Sequence, residues 1–248
     1  MNSYLAELHV HTVLSPCAGV EMIPPLIVQT AIAQKINLIA ITDHNASSNV
    51  ASVMKAAQGE TLTVLPGMEL QTKEEVHVLC IFDTLEQLAG LQNLVNQTLP
   101  DVPNNIEYFG EQFVVDHTGD FIRRKEQLLI NSTKLSIEEA EDAVHNLEGL
   151  FIPAHVDRQA FGLFYRLGFI PPGLKVDALE ISRHTTPKKC IQKYPQIKEF
   201  PLIQSGDVHF LADFMGVNQF NLHQPTIPEI RNALNSENGC SVEIITPI

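Results

Sequence analysis

Histidines and carboxylates recur where apolar runs end. His9 and His11 close "AELHVHT", Asp43 and His44 close "INLIAITDH", and Glu69 closes "LTVLPGMEL". His77 sits in "EVHVLCIF", His155 ends "GLFIPAH", and Asp207 and His209 end "FPLIQSGDVH". Imidazole nitrogen and carboxylate oxygen are ligands for zinc, manganese or iron. Residues i and i+2 of a strand share a face, so His9 and His11 would point the same way. A single strand-end histidine is ordinarily a satisfied polar residue. A set of them, buried without partners, would be costly. The pattern therefore reads as a metal cluster.

The runs that carry these residues set the expected architecture. They alternate with helical patterns: "MIPPLIVQTAIAQK" with prolines in its first turn, Ser47 to Gln58 closed by Gly59, Leu85 to Leu99, Ser136 to Leu147, and Ile227 to Asn238. Alternating strand and helix signals predict right-handed crossovers and a mostly parallel sheet. The expected fold class is α/β, a distorted seven-stranded (β/α) TIM-like barrel with its metal site at the C-terminal strand ends. Residues 1–248 read as one domain. At 100–149 the rhythm breaks into a Pro/Asn-rich stretch, a possible hairpin turning at His117 to Asp120 and a polar helix, read as an insertion within the barrel.

The ordered set "HVH", "ITDH", "GMEL", "EVHV", "PAHVDR" and "SGDVH" resembles the motifs of the PHP (polymerase and histidinol phosphatase) domain family, in particular its stand-alone phosphoesterases. The resemblance implies a two- or three-metal centre. His9, His11, Glu69 and Asp207 would hold the first ion, and Glu69 would bridge to a second held by His77 and His155. His44 and His209 would hold a third. The loop after the first strand departs from the family pattern: "HTVLSPC" puts Pro16 at the acid position and Cys17 where some relatives place a histidine. Cys17 is either a ligand of the third ion or a small loop residue, with Glu21 a weaker substitute.

The implied activity is hydrolysis of a small phosphomonoester, a nucleotide among the candidates, by a metal-activated hydroxide. Glu69 sets the metal spacing, and His209 or Asp43 could move protons. Asp43 equally suits a carboxylate that orients a neighbouring ligand. Arg158, Arg183 and His184 are the basic groups placed to clamp phosphate. Alternatives are histidinol-phosphate phosphatase, a 3′-5′ exonuclease, and a catalytically silent metal-binding module. An amidohydrolase would need a carbamylated lysine bridge, and no strand-end lysine presents itself.

Composition bounds the partners. The formal charge is −13, which argues against duplex nucleic acid and leaves a small phosphorylated substrate. Cys17, Cys80, Cys190 and Cys240 form no C-x-x-C pair, and no run reaches a membrane span, so the expected setting is the cytoplasm. His117, His145 and His223 read as turn, solvated helix and loop, Cys80 as core, and "RRK" at Arg123 to Lys125 as a solvated charge run. Oligomeric state is not legible.

Overall fold

Each apolar run that carries a site residue folds as a strand in the computed structural model, which describes residues 1–245. β1 (Asn2–Val10), β2 (Leu38–Ile41), β3 (Thr63–Gln71) and β4 (His77–Ile81) lie side by side. A hairpin, β5 (Phe113–Val115) and β6 (Phe121–Arg124), stands apart from them. β7 (Leu150–Pro153) follows β4 in the sheet, and β8 (Leu179–Ser182) and β9 (Leu202–Ser205) form a parallel pair. β10 (Asn218–Leu222) and β11 (Ser241–Ile244) extend the other edge, giving a curled seven-stranded sheet in the order β11-β10-β1-β2-β3-β4-β7. The β8–β9 pair lies between β7 and β1. The Val156 amide donates to the Glu180 carbonyl at 2.9 Å, and the Val208 amide to the His9 carbonyl at 2.9 Å.

Helices flank this curl, and the last of them packs into its interior. They are α1 (Pro24–Ala33), α2 (Val50–Ala56), α3 (Leu85–Thr98), α4 (Ile106–Phe109), α5 (Ile137–Asn146), α6 (Leu163–Arg166), α7 (Pro187–Lys193) and α8 (Ile227–Leu234). Capping boxes start two of them: Thr84 with Gln87 on α3, and Ser136 with Glu139 on α5. Val10, Ile39, Ile41 and Met68 face the helices, with Ile27 and Val50 in the same core. Leu8, Leu38, Leu65, Leu79, Ile152 and Ile203 face inward, and α8 adds Ile227 and Ile230. Full burial of each such side chain contributes about 1.5–3 kcal/mol. The inward face turns polar toward one rim. On β3, Leu65 gives way to Glu69; on β4, Ile81 and Leu79 give way to His77.

Pairing is less parallel than the alternation of elements implied. β1/β2, β2/β3 and β8/β9 are parallel, whereas β3/β4, β4/β7, β1/β10 and β10/β11 are antiparallel. The reason lies between Gln71 and His77: the connection is too short for a crossover helix and permits only a hairpin. His77 thus reaches the polar rim from the N-terminal end of its strand, not the C-terminal end. β10 was not anticipated, because "NQFNL" carries polar residues on both of its faces. The helices read at 47–58 and 227–238 are shorter, Val50–Ala56 and Ile227–Leu234. Among the described residues, no helix is long and apolar enough to cross a membrane.

His145 is not solvated as its polar helix suggested. Its Nδ1 lies 2.6 Å from Glu141 and its Nε2 3.0 Å from Asp177, which also accepts from Arg231 Nε at 2.8 Å. Donation to the Asp177 carboxylate raises the His145 pKa, against partial burial and with help from Glu141. A raised folded-state pKa stabilises fully below the unfolded value and ceases to as pH rises through the folded one. His145→Gln should therefore cost about 1 kcal/mol more at pH 5.5 than at pH 9 in urea unfolding. Equal losses at both pH values would remove protonation from the account.

Candidate metal centre

A bulge in β1 builds the first part of the site. Glu7 pairs with Ile39 and Val10 with Ile41, so Leu8 and His9 together oppose one residue of β2. The extra residue lets both Leu8 and His9 face inward and keeps His11 on the same side. Other site residues stand on left-handed backbone: φ is 32° at His155 and 50° at Asp207, and Asn45 beside His44 has 49°. Such conformations are uncommon outside glycine, with asparagine, aspartate and histidine tolerating them best, and they re-aim side chains at strand ends.

Three donor sets result, all sharing Glu69 or touching its neighbours. His9 Nε2 lies 3.1 Å from His11 Nε2, 3.3 Å from Glu69 Oε1 and 3.2 Å from Asp207 Oδ1. His11 Nε2 lies 3.4 Å from both Glu69 Oε2 and Asp207 Oδ1. His9, His11 and Glu69 thus offer donor atoms close enough to share one ion, with Asp207 beside the two imidazoles. In the second set, Glu69 Oε1 lies 2.8 Å from His77 Nδ1 and 3.2 Å from His155 Nε2. In the third, His44 Nδ1 lies 2.8 Å from Glu69 Oε2, and His209 Nε2 lies 3.0 Å from Cys17 Sγ.

The residues fit divalent ions on a further count. His44 Nδ1, Glu69 Oε2 and Asp207 Oδ1 are buried and find no hydrogen-bond partner in the chain. Orphaned buried polar atoms aimed at one another are what a missing cation satisfies. Glu69, although buried, is held well below the usual carboxylate range by His77, His9 and His44. His11 is pushed well below the usual imidazole range by burial and by His209 and His44. Burial opposes ionisation of Cys17, but His44 and His209 outweigh it and bring the thiol down to about 6. A thiolate-prone cysteine is a competent zinc ligand.

Several of these imidazoles are braced from behind. His11 Nδ1 meets Ser15 Oγ at 2.9 Å, and Ser15 Oγ donates to Asp43 at 2.7 Å. Asp43 also accepts from the Thr12 amide and hydroxyl, both at 2.7 Å. Its two oxygens are thus engaged in the loop after β1 and do not open onto the cavity. His209 Nδ1 faces the Asp207 carbonyl at 2.9 Å, leaving Nε2 to the centre. Glu180, a buried residue that the sequence reading did not single out, faces His9 Nδ1 at 3.0 Å.

The centre opens into a cavity of about 360 Å3, walled by Phe109, Ile130 and Phe161 and flanked by Arg158. Phe109 and Ile130 arrive from the 100–149 segment. That segment is pinned by the Phe113 amide donating to the Val13 carbonyl at 2.9 Å and by Asn45 Nδ2 donating to the Leu129 carbonyl at 2.7 Å. Arg158 is hydrogen-bonded to Asp207. Arg183, paired with Asp213 at 2.6 Å, and His184 line an adjoining hollow of about 300 Å3 that also touches Cys17 and His209. His117 lies in the β5–β6 turn, Cys80 is core, and Arg124 pairs with Glu111.

No curated protein sequence matches the chain. Among solved structures, the lesion-specific endonuclease Q of Pyrococcus furiosus aligns with a TM-score of 0.73 at 19% identity, over 97% of this chain and 58% of that one. The chain thus spans little more than half of that enzyme. An endonuclease Q complex with a 27-mer duplex carrying an abasic lesion aligns with a TM-score of 0.65 at 19% identity, over 95% and 57%. A Bifidobacterium adolescentis chain assigned to the metal-dependent phosphoesterases aligns at 0.55 with 17% identity, over 83% and 87%. These likenesses establish the fold. The duplex complex also overturns the expectation that an acidic chain of this kind excludes duplex nucleic acid. Net charge sums the whole surface, whereas phosphate contacts depend on the local potential. The PHP domain family model matches residues 7–156, more than half of the chain and spanning five of the histidine- and carboxylate-bearing motifs: the chain belongs to the PHP domain family.

Proposed function

We propose that this chain is a metal-dependent phosphoesterase whose seven strands β1–β4 and β7–β9 act as a distorted barrel, a single domain with 100–149 inserted over the site. The observation that carries the reading is the convergence of His9, His11 and Glu69, with Asp207 beside the two imidazoles and Glu69 shared with His77 and His155. Bound zinc, manganese or iron would neutralise phosphate oxygens and lower the pKa of a water between them. The chain's own groups do the rest. Glu69 fixes the spacing of the donor sets, and Asp43 acts through Ser15 to aim His11. Arg158, with Arg183 and His184 behind it, holds the phosphate. Cys17, His44 and His209 hold a third ion; without that ion, His209 gives the leaving oxygen its proton.

The substrate we favour is a small phosphomonoester such as a nucleotide, which the cavity of about 360 Å3 accommodates. A second reading is a nucleic-acid phosphodiester, favoured by the hollow lined by Arg158, Arg183 and His184 that continues from the cavity. The proposed setting is the cytoplasm.

The test is phosphate release from nucleoside monophosphates, 3′,5′-bisphosphates and histidinol phosphate with added manganese or zinc, beside cleavage of a duplex oligonucleotide with an abasic site. His77→Ala should abolish whichever activity appears while leaving the fold intact. Turnover that survives in His77→Ala would remove the second donor set from the chemistry. No turnover on any substrate by metal-loaded protein would favour a silent metal-binding module.

A further inference from the structure

A carboxylate in the middle of an apolar strand needs a reason. Glu180 is 1% exposed and sits between Leu179 and Ile181, both fully buried. Its Oε1 and Oε2 lie 3.0 and 3.2 Å from His9 Nδ1, and Oε1 also accepts the His155 backbone amide at 3.0 Å. An isolated buried carboxylate is costly, and one hydrogen-bonded to an imidazole and an amide is far less so. The two partners belong to different donor sets. His9 comes from β1, and His155 follows β7 on left-handed backbone.

We propose that Glu180 is a positioning residue that sets the first and second donor sets of the metal centre at once; this rests on the phosphoesterase reading above. By accepting from His9 Nδ1–H it fixes the tautomer that leaves the Nε2 lone pair directed at His11, Glu69 and Asp207. By accepting the His155 amide it pins the backbone that aims His155 Nε2 at Glu69 Oε1. One carboxylate therefore controls both the direction of His9 and the distance between the two sets. Removing a group that orients a ligand histidine typically costs 10–100-fold in metal affinity.

The experiment strips the protein with chelator and titrates zinc back against a chromophoric competitor, for the native chain, Glu180→Gln and Glu180→Ala. Urea unfolding of the stripped proteins runs alongside. Histidine 1H–15N spectra of the zinc-loaded proteins read the hydrogen bond on His9 Nδ1–H. We expect Glu180→Gln to fold and to lose roughly 10-fold in zinc affinity, Glu180→Ala to lose roughly 100-fold, and the hydrogen-bonded His9 Nδ1–H signal to be lost in the alanine variant. Unchanged affinity and an unchanged Nδ1–H signal, with lower stability alone, would show that Glu180 only closes the strands and would overturn the proposal. Failure of the native chain to bind zinc, manganese or iron would instead overturn the metal-centre reading itself.

Discussion

Glu69→Gln protein is expected to purify folded, to carry far less metal than the native chain, and to lose at least about 10³-fold in turnover, or about 4 kcal/mol of transition-state stabilisation. The argument is geometric. Among the described residues, Glu69 is the carboxylate that both main donor sets share. Its oxygens lie 3.3 Å from His9, 3.4 Å from His11, 2.8 Å from His44, 2.8 Å from His77 and 3.2 Å from His155. Glutamine keeps the volume but removes the charge that five imidazoles surround. It also presents an amide that donates where an ion must sit. Metal content by mass spectrometry and turnover in the same preparation decide the matter. Native stoichiometry in the variant would show that Glu69 does not bridge.

Glu7→Ala should cost about 4 kcal/mol of folding stability, a large share of the 5–15 kcal/mol that holds a domain together. The β1 bulge turns Glu7 away from His9 and toward the segment after β9. There its carboxylate accepts the amides of Gly206 at 3.0 Å, Met215 at 2.9 Å and Gly216 at 3.2 Å. Burial pushes the carboxyl up to about 7, against these three donors. Alanine would leave all three N–H groups without their side-chain acceptor, at about 1–3 kcal/mol each, with partial relaxation recovering some of the cost. Urea unfolding of metal-free native and variant chains measures the loss. A difference below about 1 kcal/mol would show that the segment finds other acceptors.

Much of this was legible in the sequence because the residues of the candidate centre combine two readable properties, a polar type and a place at the end of an apolar run. His9, His11, His44, Glu69, His77, His155, Asp207 and His209 do converge on one rim. Glu7 and Glu180 escaped notice for the opposite reason. A glutamate inside an apolar strand looks like the solvent side of a half-buried strand, and alternation alone does not say which side is the interior. The direction of β4 was readable from the short connection before His77, yet the steady alternation of strands and helices elsewhere masked it. Asp43 lies next to His44 in sequence, but its oxygens are engaged by Thr12 and Ser15. Adjacency along the chain did not distinguish bracing from catalysis.

The β3–β4 hairpin carries a consequence for how the centre is made. Glu69 and His77 lie on neighbouring antiparallel strands joined by a short turn, so their meeting is a local event that costs little loop entropy. His9 and His11 must meet Asp207, almost 200 residues further along the chain, a contact of the slow, non-local kind. During synthesis the shared carboxylate and its first imidazole can find each other while most of the chain is still to be made. The set that includes Asp207 must wait for β9. An ion met early by the hairpin would find few ligands and would exchange freely, so discrimination among metals would fall to the finished fold.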